Sequence, residues 1–144
     1  MIKKPKHKKI KTLPKLKGEV WNIFSRYIRM RDCLKTMGIL DWGNCITCTA
    51  LIRLKDGDAG HFIQGRMNSI LFEETCVHLQ CHRCNRFLGG EPLKYRRAII
   101  RLYGEGYDIK LEEQAMETRK FSRTELEDMK KEYQEKIKEL EQEV

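Results

Sequence analysis

The chain has 144 residues, enough for one domain of ordinary size, with 40% apolar and 35% charged residues and a formal net charge of +8. No run of about 18 apolar residues is present, which excludes a membrane-spanning helix. The basic N-terminus lacks the apolar segment of a secretory signal, so the expected setting is a reducing cytoplasm, where paired cysteines bind metal rather than each other.

The charge is uneven. Residues 1–35 carry twelve Lys/Arg against two acids, residues 36–111 ten against eight, and residues 112–144 seven against eleven. A basic head and an acidic tail point to an anionic partner at one end. Three stretches are expected: a flexible basic arm over 1–17, a central domain over 18–111, and an acidic C-terminal helix within 112–144.

The arm holds eight lysines, two prolines and no acid. That composition is solvated, opposes helix, and suits contact with a phosphate backbone. His7 within it carries no further signal. From about 18 to 37, Trp21, Phe24, Tyr27 or Ile28, and Cys33 or Leu34 recur at helical steps, predicting a helix that Gly38 ends. Cys33 falls in the apolar stripe and reads as a buried thiol. NCITCTALIRL (44–54) reads as a metal knuckle turning into a strand, KDGDAG (55–60) as a turn, and HFIQG (61–65) as the returning strand of a hairpin. RMNSILFEET (66–75) reads as a connection, VHLQC (77–81) as the entry to a turn, and CHRCNRFLGG (81–90) as the start of a helix. Pro92 opens a further helix ending at Gly104, followed by a YGEGYD loop. Ser122 with Glu125 forms a capping box, and Phe121 can staple to Leu126. The seam Leu126, Met129, Tyr133, Ile137, Leu140 and Val144 suits a partner helix from this chain or from a second copy.

The cysteine arrangement is Cys45-x2-Cys48, thirty-two residues, then Cys81-x2-Cys84. Two such knuckles supply a tetrahedral S4 shell, which suits structural zinc. The shell leaves no open position for substrate, so this ion holds the fold together, contributing on the order of 10 kcal/mol of folding free energy.

The clamp brings the strand of His61 beside the helix that begins near Cys84, where Asn85 adjoins a metal ligand. A histidine on a strand facing a polar residue on a helix is the layout of a ββα-metal nuclease site. Phosphodiester hydrolysis needs a base to activate water and a hard divalent cation to stabilise the phosphorane and the leaving oxygen. The alternative for His61 is a core histidine bonded to a backbone carbonyl. Arg66, Arg83 and Arg86 flank the site, and Lys94, Arg96, Arg97 and Arg101 follow it on one helix. They read as phosphate contacts or as a solvated basic face.

DAGHF followed by CVHLQCHRCN resembles an HNH endonuclease motif. DAGHFIQGR with VHLQCHRCNRFLGG, FSRYIRMRD and CITC is more narrowly similar to the NinG (Rap) recombination nucleases of lambdoid phages, over about residues 16–112. The two CxxC knuckles with a histidine between them and an asparagine after the last cysteine also resemble phage endonuclease VII, a junction resolvase. The resemblance implies an α+β fold, a zinc-clamped HNH-like (His-Me finger) core flanked by N- and C-terminal helices. It implies His61 as general base, Asn85 as ligand of a catalytic Mg²⁺ or Mn²⁺, and structural Zn²⁺ on Cys45, Cys48, Cys81 and Cys84. The substrate would be branched double-stranded DNA, such as Holliday junctions and D-loops, cut by a homodimer in the host cytoplasm. Two positions depart from the pattern. Gly60 stands where an aspartate commonly ligates the metal, which leaves Asp58 as the nearest candidate, or as a plain turn residue. Cys76 stands where an asparagine usually braces the loop presenting the base. His82 and His78 carry weaker signals, the first exposed in the knuckle, the second packing or touching phosphate. The competing readings are a non-catalytic zinc-ribbon protein tethering a recombination complex on DNA, and an RNA-binding zinc protein.

Overall fold

The structure is a computed structural model that describes residues 1–6 and 9–144. Residues 7–8, including His7 of the expected arm, lie outside the described residues. Helix α1 (Leu13–Met37) starts inside the stretch expected to be an arm. The Thr12 side chain caps it by accepting from the Lys15 N–H, and Pro14 sits in the first turn, where its missing N–H costs nothing. Gly38 ends the helix at φ 71°, its N–H donating to the Leu34 carbonyl.

The strands pair differently from the expected hairpin. β1 (Trp42–Asn44) and β2 (Leu51–Arg53) are antiparallel, with the first cysteine knuckle as their loop. After a 3-10 turn at Leu54–Asp56, β3 (Gly57–His61) pairs antiparallel with β4 (Val77–Cys81), Gly57 opposite Cys81 and His61 opposite Val77. GDAG is therefore strand rather than turn. Its glycines serve close approach: a Cβ at Gly57 would strike Leu79, and one at Gly60 would strike Gln80 Oε1. The knuckle also docks on β4, the Ile46 N–H donating to the Leu79 carbonyl at 2.9 Å.

A short helix α2 (Asn68–Leu71) crosses between the paired strands, and a five-residue π-helical turn (Arg83–Phe87) follows β4 in place of the expected helix. Gly89 and Gly90, both at positive φ, end it. α3 (Pro92–Tyr103) and its Gly104 stop lie where expected. α4 (Tyr107–Ala115) continues from the YGEGYD loop, its N-cap Gly106 at φ 86°. α5 (Arg123–Gln142) carries the expected capping box in full. Mixed helices with two small antiparallel sheets make an α+β fold. Among the described residues no helix is long and apolar enough to cross a membrane.

α1 is the spine. Phe24 and Ile28 enter one buried cluster with Val77, Tyr95, Ile99, Leu111 and Tyr133. Leu16 and Val20 form a second with Leu126, against which Phe121 packs. The first half of the α5 seam is thus covered by α1 of the same chain, Leu126 and Tyr133 being buried and Tyr133 meeting Phe24 edge-on at 5.0 Å, while Val144 at its end is exposed. Farther along α1 an ion pair ties the helix to β4. Arg31 Nε bonds Asp32 Oδ1 at 2.8 Å, the other guanidinium nitrogens donate to the Glu74 and Val77 carbonyls, and Asp32 Oδ2 accepts the Leu79 N–H at 2.7 Å. A buried pair so fully bonded is tolerable; removing one partner from such a pair typically costs about 3–5 kcal/mol.

His78 is also part of the fold. Tyr95 Oη donates to the Gly60 carbonyl at 2.6 Å, so it accepts from His78 Nδ1 at 3.0 Å, which leaves His78 Nε2 to accept from Tyr103 Oη at 2.7 Å. The ring is neutral, and burial pushes its pKa down to about 4. A depressed histidine stabilises the fold above its unfolded pKa, and that stability drains as pH falls from about 6.5 toward about 4. By pH 5.5 the loss amounts to about 1 kcal/mol. Urea unfolding at pH 7.5 and pH 5.5 checks this: His78→Phe should be less stable at both pH values, yet lose less than the parent between them.

Candidate functional site

The four expected cysteines come together. Sγ atoms of Cys45, Cys48, Cys81 and Cys84 all lie within 4.8 Å of one another, and they can hold a metal such as zinc. Cys48 and Cys81 are 3.8 Å apart, the edge of a tetrahedron with bonds of about 2.3 Å. The surroundings favour thiolate at one position. Burial alone would raise the Cys45 pKa, but N–H groups of Cys48 and Cys81 and the Thr47 hydroxyl bring it down to about 7. At Cys84 burial and the neighbouring sulfurs push the thiol up to about 12. Four thiols this close cannot ionise together without a cation among them, and that is the charge zinc supplies.

Next to this cluster a cleft of about 430 Å³ is lined by polar and charged groups. Asp58 and Asn85, the two expected ligands of a catalytic ion, meet there: Asn85 Nδ2 donates to Asp58 Oδ2 at 3.0 Å. Arg86 forks onto the same carboxylate through two bonds of 2.9 Å. His82 Nδ1 stands 2.9 Å from Oδ1, a close contact turned out of line for a hydrogen bond. Burial would raise the Asp58 pKa; the bonds from Asn85 and Arg86, with the close His82 ring adding, outweigh it and hold the carboxyl below its usual range. The remaining walls come from Trp21, Ser25 and Arg29 of α1, from Lys55, and from Arg66.

His61 is not in the cleft wall. It is 7% exposed and stacks on Trp21, ring centroids 5.0 Å apart at 18°. Arg66 lies over the same indole at 4.6 Å. His61 Nε2 sits 3.2 Å from the Leu71 carbonyl. A carbonyl only accepts, so Nε2 carries the proton and Nδ1 keeps a lone pair. Burial lowers its pKa, with the Arg66 charge adding, against the Leu71 bond; the ring is neutral at pH 7.

The other expected positions scatter. Arg66, Arg83 and Arg86 are exposed around the cleft and the turn, and Lys94 and Arg97 are exposed on α3. Arg96 is taken by Asp108 and Glu112 and lies over Phe62, so its charge is spent within the fold. Arg101 borders a different cavity, beside Leu102 and Tyr103. Cys76, fully buried, faces the N–H groups of Ile63 and Phe62, and burial pushes its thiol up to about 11. It thereby touches the loop directly after His61. Sequence reasoning missed Trp21, Ser25 and Arg29. Their i, i+4, i+8 spacing is one helical stripe, and that was the available signal.

Replacing Cys48 with Ser should abolish stoichiometric zinc in the purified protein, lower its thermal midpoint steeply, and leave it insensitive to chelators that destabilise the parent. Metal analysis beside thermal unfolding reads all three. A parent with four free thiols and no zinc would remove the clamp.

No curated protein and no solved structure matches the chain. The family model described as bacteriophage lambda NinG protein matches residues 1–143. With that match extending over both knuckles, the cleft and the helices that frame them, the chain belongs to the bacteriophage lambda NinG protein family.

Proposed function

We propose that the chain is a metal-dependent, structure-selective DNA endonuclease of HNH type, cleaving branched recombination intermediates such as Holliday junctions and D-loops. The observation that carries the reading is the meeting of Asp58 and Asn85 in a cation-walled cleft beside the four-cysteine cluster.

The donor set fits a hard divalent ion. Asp58 offers two carboxylate oxygens, and the Asn85 carboxamide, turned over, offers a third; waters complete such shells for Mg²⁺ or Mn²⁺. When bound, the ion would stabilise charge on the phosphoryl and leaving oxygens. Arg86 presently neutralises the carboxylate. Its side chain is 60% exposed, so it can swing to a phosphate while Asp58 turns to a cation. His61 is held as the neutral Nε2–H tautomer, the form in which Nδ1 can take a proton from water. Trp21 and the Leu71 carbonyl position its ring. Arg29, Lys55, Arg66 and Arg86 give the cleft wall its positive charge, and each phosphate they neutralise should add about one unit of salt dependence. No base-reading element is evident in this wall, which favours recognition by DNA shape. A junction takes two symmetric cuts, for which a homodimer is the economical arrangement.

One observation favours the second reading, a non-catalytic zinc protein that tethers a recombination complex on DNA: His61 is buried and lies outside the cleft lining. The two readings separate on a four-way junction incubated with Mg²⁺ or Mn²⁺. The parent should cleave it. His61→Gln should bind equally well and cleave about 10²–10⁴-fold more slowly, and Asn85→Ala should need far more divalent ion. A zinc-loaded parent that binds but never cuts would establish the tether. Arg86→Ala should bind Mn²⁺ more tightly than the parent, read by titration calorimetry without DNA, because the carboxylate loses its competing cation.

A further inference from the structure

Phe87 is 80% exposed, with Leu88 and Leu93 exposed beside it in sequence at 40% and 73%. Burying a phenylalanine side chain is typically worth about 1.5–3 kcal/mol, and the fold leaves this one outside. The exposure does not come from a loose segment. Cys84, three residues earlier, is in the four-sulfur cluster, and Asn85 and Arg86 line the cleft. The backbone is closed by bonds from Leu88 N–H to the Arg83 carbonyl at 2.9 Å, from Gly90 N–H to the Cys84 carbonyl at 2.8 Å, and from Glu91 N–H to the Leu88 carbonyl at 3.1 Å. A rigid turn thus presents an aromatic ring at the end of the element whose preceding two residues, Asn85 and Arg86, line the cleft.

The charges nearby in sequence are cationic on both sides: exposed Arg83 and Arg86 before the ring, exposed Lys94 and Arg97 after it, with Glu91 as the acid between. An apolar projection among cations fits a polyanion that also offers a flat apolar face. In a linear duplex the base faces are stacked on one another and only the phosphates are available. At a branch point the terminal pairs lose a neighbour and expose a face. We infer that Phe87 is the branch-sensing residue of this chain, stacking on an unstacked base while Arg83 and Arg86 hold the adjoining phosphates and the cleft receives the neighbouring backbone. The inference rests on DNA as the occupant of the cleft, but not on its cleavage. It also supplies what the cleft lacks: cations alone bind any duplex, whereas an exposed ring distinguishes a branched one.

Binding of the full-length, zinc-loaded chain to a four-way junction and to a linear duplex of the same sequences tests it, by fluorescence anisotropy over a range of salt, with His61→Gln as the background to prevent turnover. The background protein should prefer the junction. Phe87→Ala should cut that preference by roughly 5- to 150-fold, the loss expected for one base–aromatic stack, while leaving linear-duplex affinity and salt slope unchanged. Phe87→Trp should retain the preference. With 5-iodouracil at the branch point, irradiation should crosslink the peptide containing Phe87. An unchanged preference in Phe87→Ala, an equal loss on both DNAs, a preference absent from the outset, or a crosslink elsewhere each overturns the inference. A separate cleavage assay keeps the two proposals apart: junction preference through Phe87 without cutting by the parent sinks the nuclease alone, and cutting with no change on removing Phe87 sinks the sensor alone.

Discussion

Everything at the centre of this molecule hangs on four sulfur atoms gathered within 4.8 Å. They tie the loop of the β1–β2 hairpin to the last residue of β4 and to the π-helical turn after it. Without a cation that gathering is unfavourable, since each thiolate that forms opposes ionisation of its neighbours; a divalent ion reverses the sign. The geometric consequence reaches the cleft in one step on each side. Cys81 is opposite Gly57 in the sheet, and Asp58 is the next residue. Cys84 is in the turn, and Asn85 is the next residue. A carboxylate and a carboxamide distant in sequence therefore meet because each is one position from the framework the sulfurs fix.

α1 supplies the second constraint, and its faces divide the work. One face buries Val20, Phe24 and Ile28 and receives α5. Another carries Trp21, Ser25 and Arg29 along the cleft. Near its end Asp32 accepts the Leu79 N–H from β4, so the strand bearing Cys81 is pinned by helix and sulfur together. His61 belongs to this scaffold as much as to any chemistry. Its ring is fixed by the indole on one side and the Leu71 carbonyl at its Nε2, which sets its tautomer as well as its place. In the proposed hydrolysis such a lone pair, oriented beforehand, would lose less entropy in use than a mobile one.

Much of this was legible wherever a local signal had one meaning. The Cys-x2-Cys pairs, the Ser122–Glu125 capping box, and Pro92 with Gly104 each have a single physical use, and the structure places them accordingly. Ambiguous signals misled. Glycine and aspartate in GDAG mark turns in most contexts, yet here the glycines admit Leu79 and Gln80 to the sheet. The lysine run at the N-terminus masked a helix start, because Thr12 as cap and Pro14 in the first turn are favourable positions for residues that elsewhere oppose helix. The contacts around Asp58 could not be read at all. They depend on the curvature of the five-residue turn that turns Asn85 and Arg86 toward β3, and no periodicity encodes that.

Gly60 shows how packing can exclude a side chain from the position where the HNH resemblance would expect an aspartate. A side chain there would collide with Gln80 Oε1. Gln80 is fully buried, and its amide nitrogen bonds the Thr47 hydroxyl at 3.1 Å and the Gly90 carbonyl at 2.9 Å, spanning from the first knuckle to the segment after the second. Those two bonds fix which end of the amide is nitrogen, so the oxygen necessarily points at Gly60, where it has no hydrogen-bond partner among the described residues. It sits against the Gly60 backbone, a close approach that the absence of a Cβ allows. An aspartate at 60 would bring its carboxylate against that amide oxygen, repelling it and breaking the bridge between the knuckles. The carboxylate is instead two residues earlier on the same strand face, at Asp58, opposite Gln80 in register. There it reaches Asn85 without disturbing the bridge, so the fold keeps both the brace and the acid by separating them along one strand.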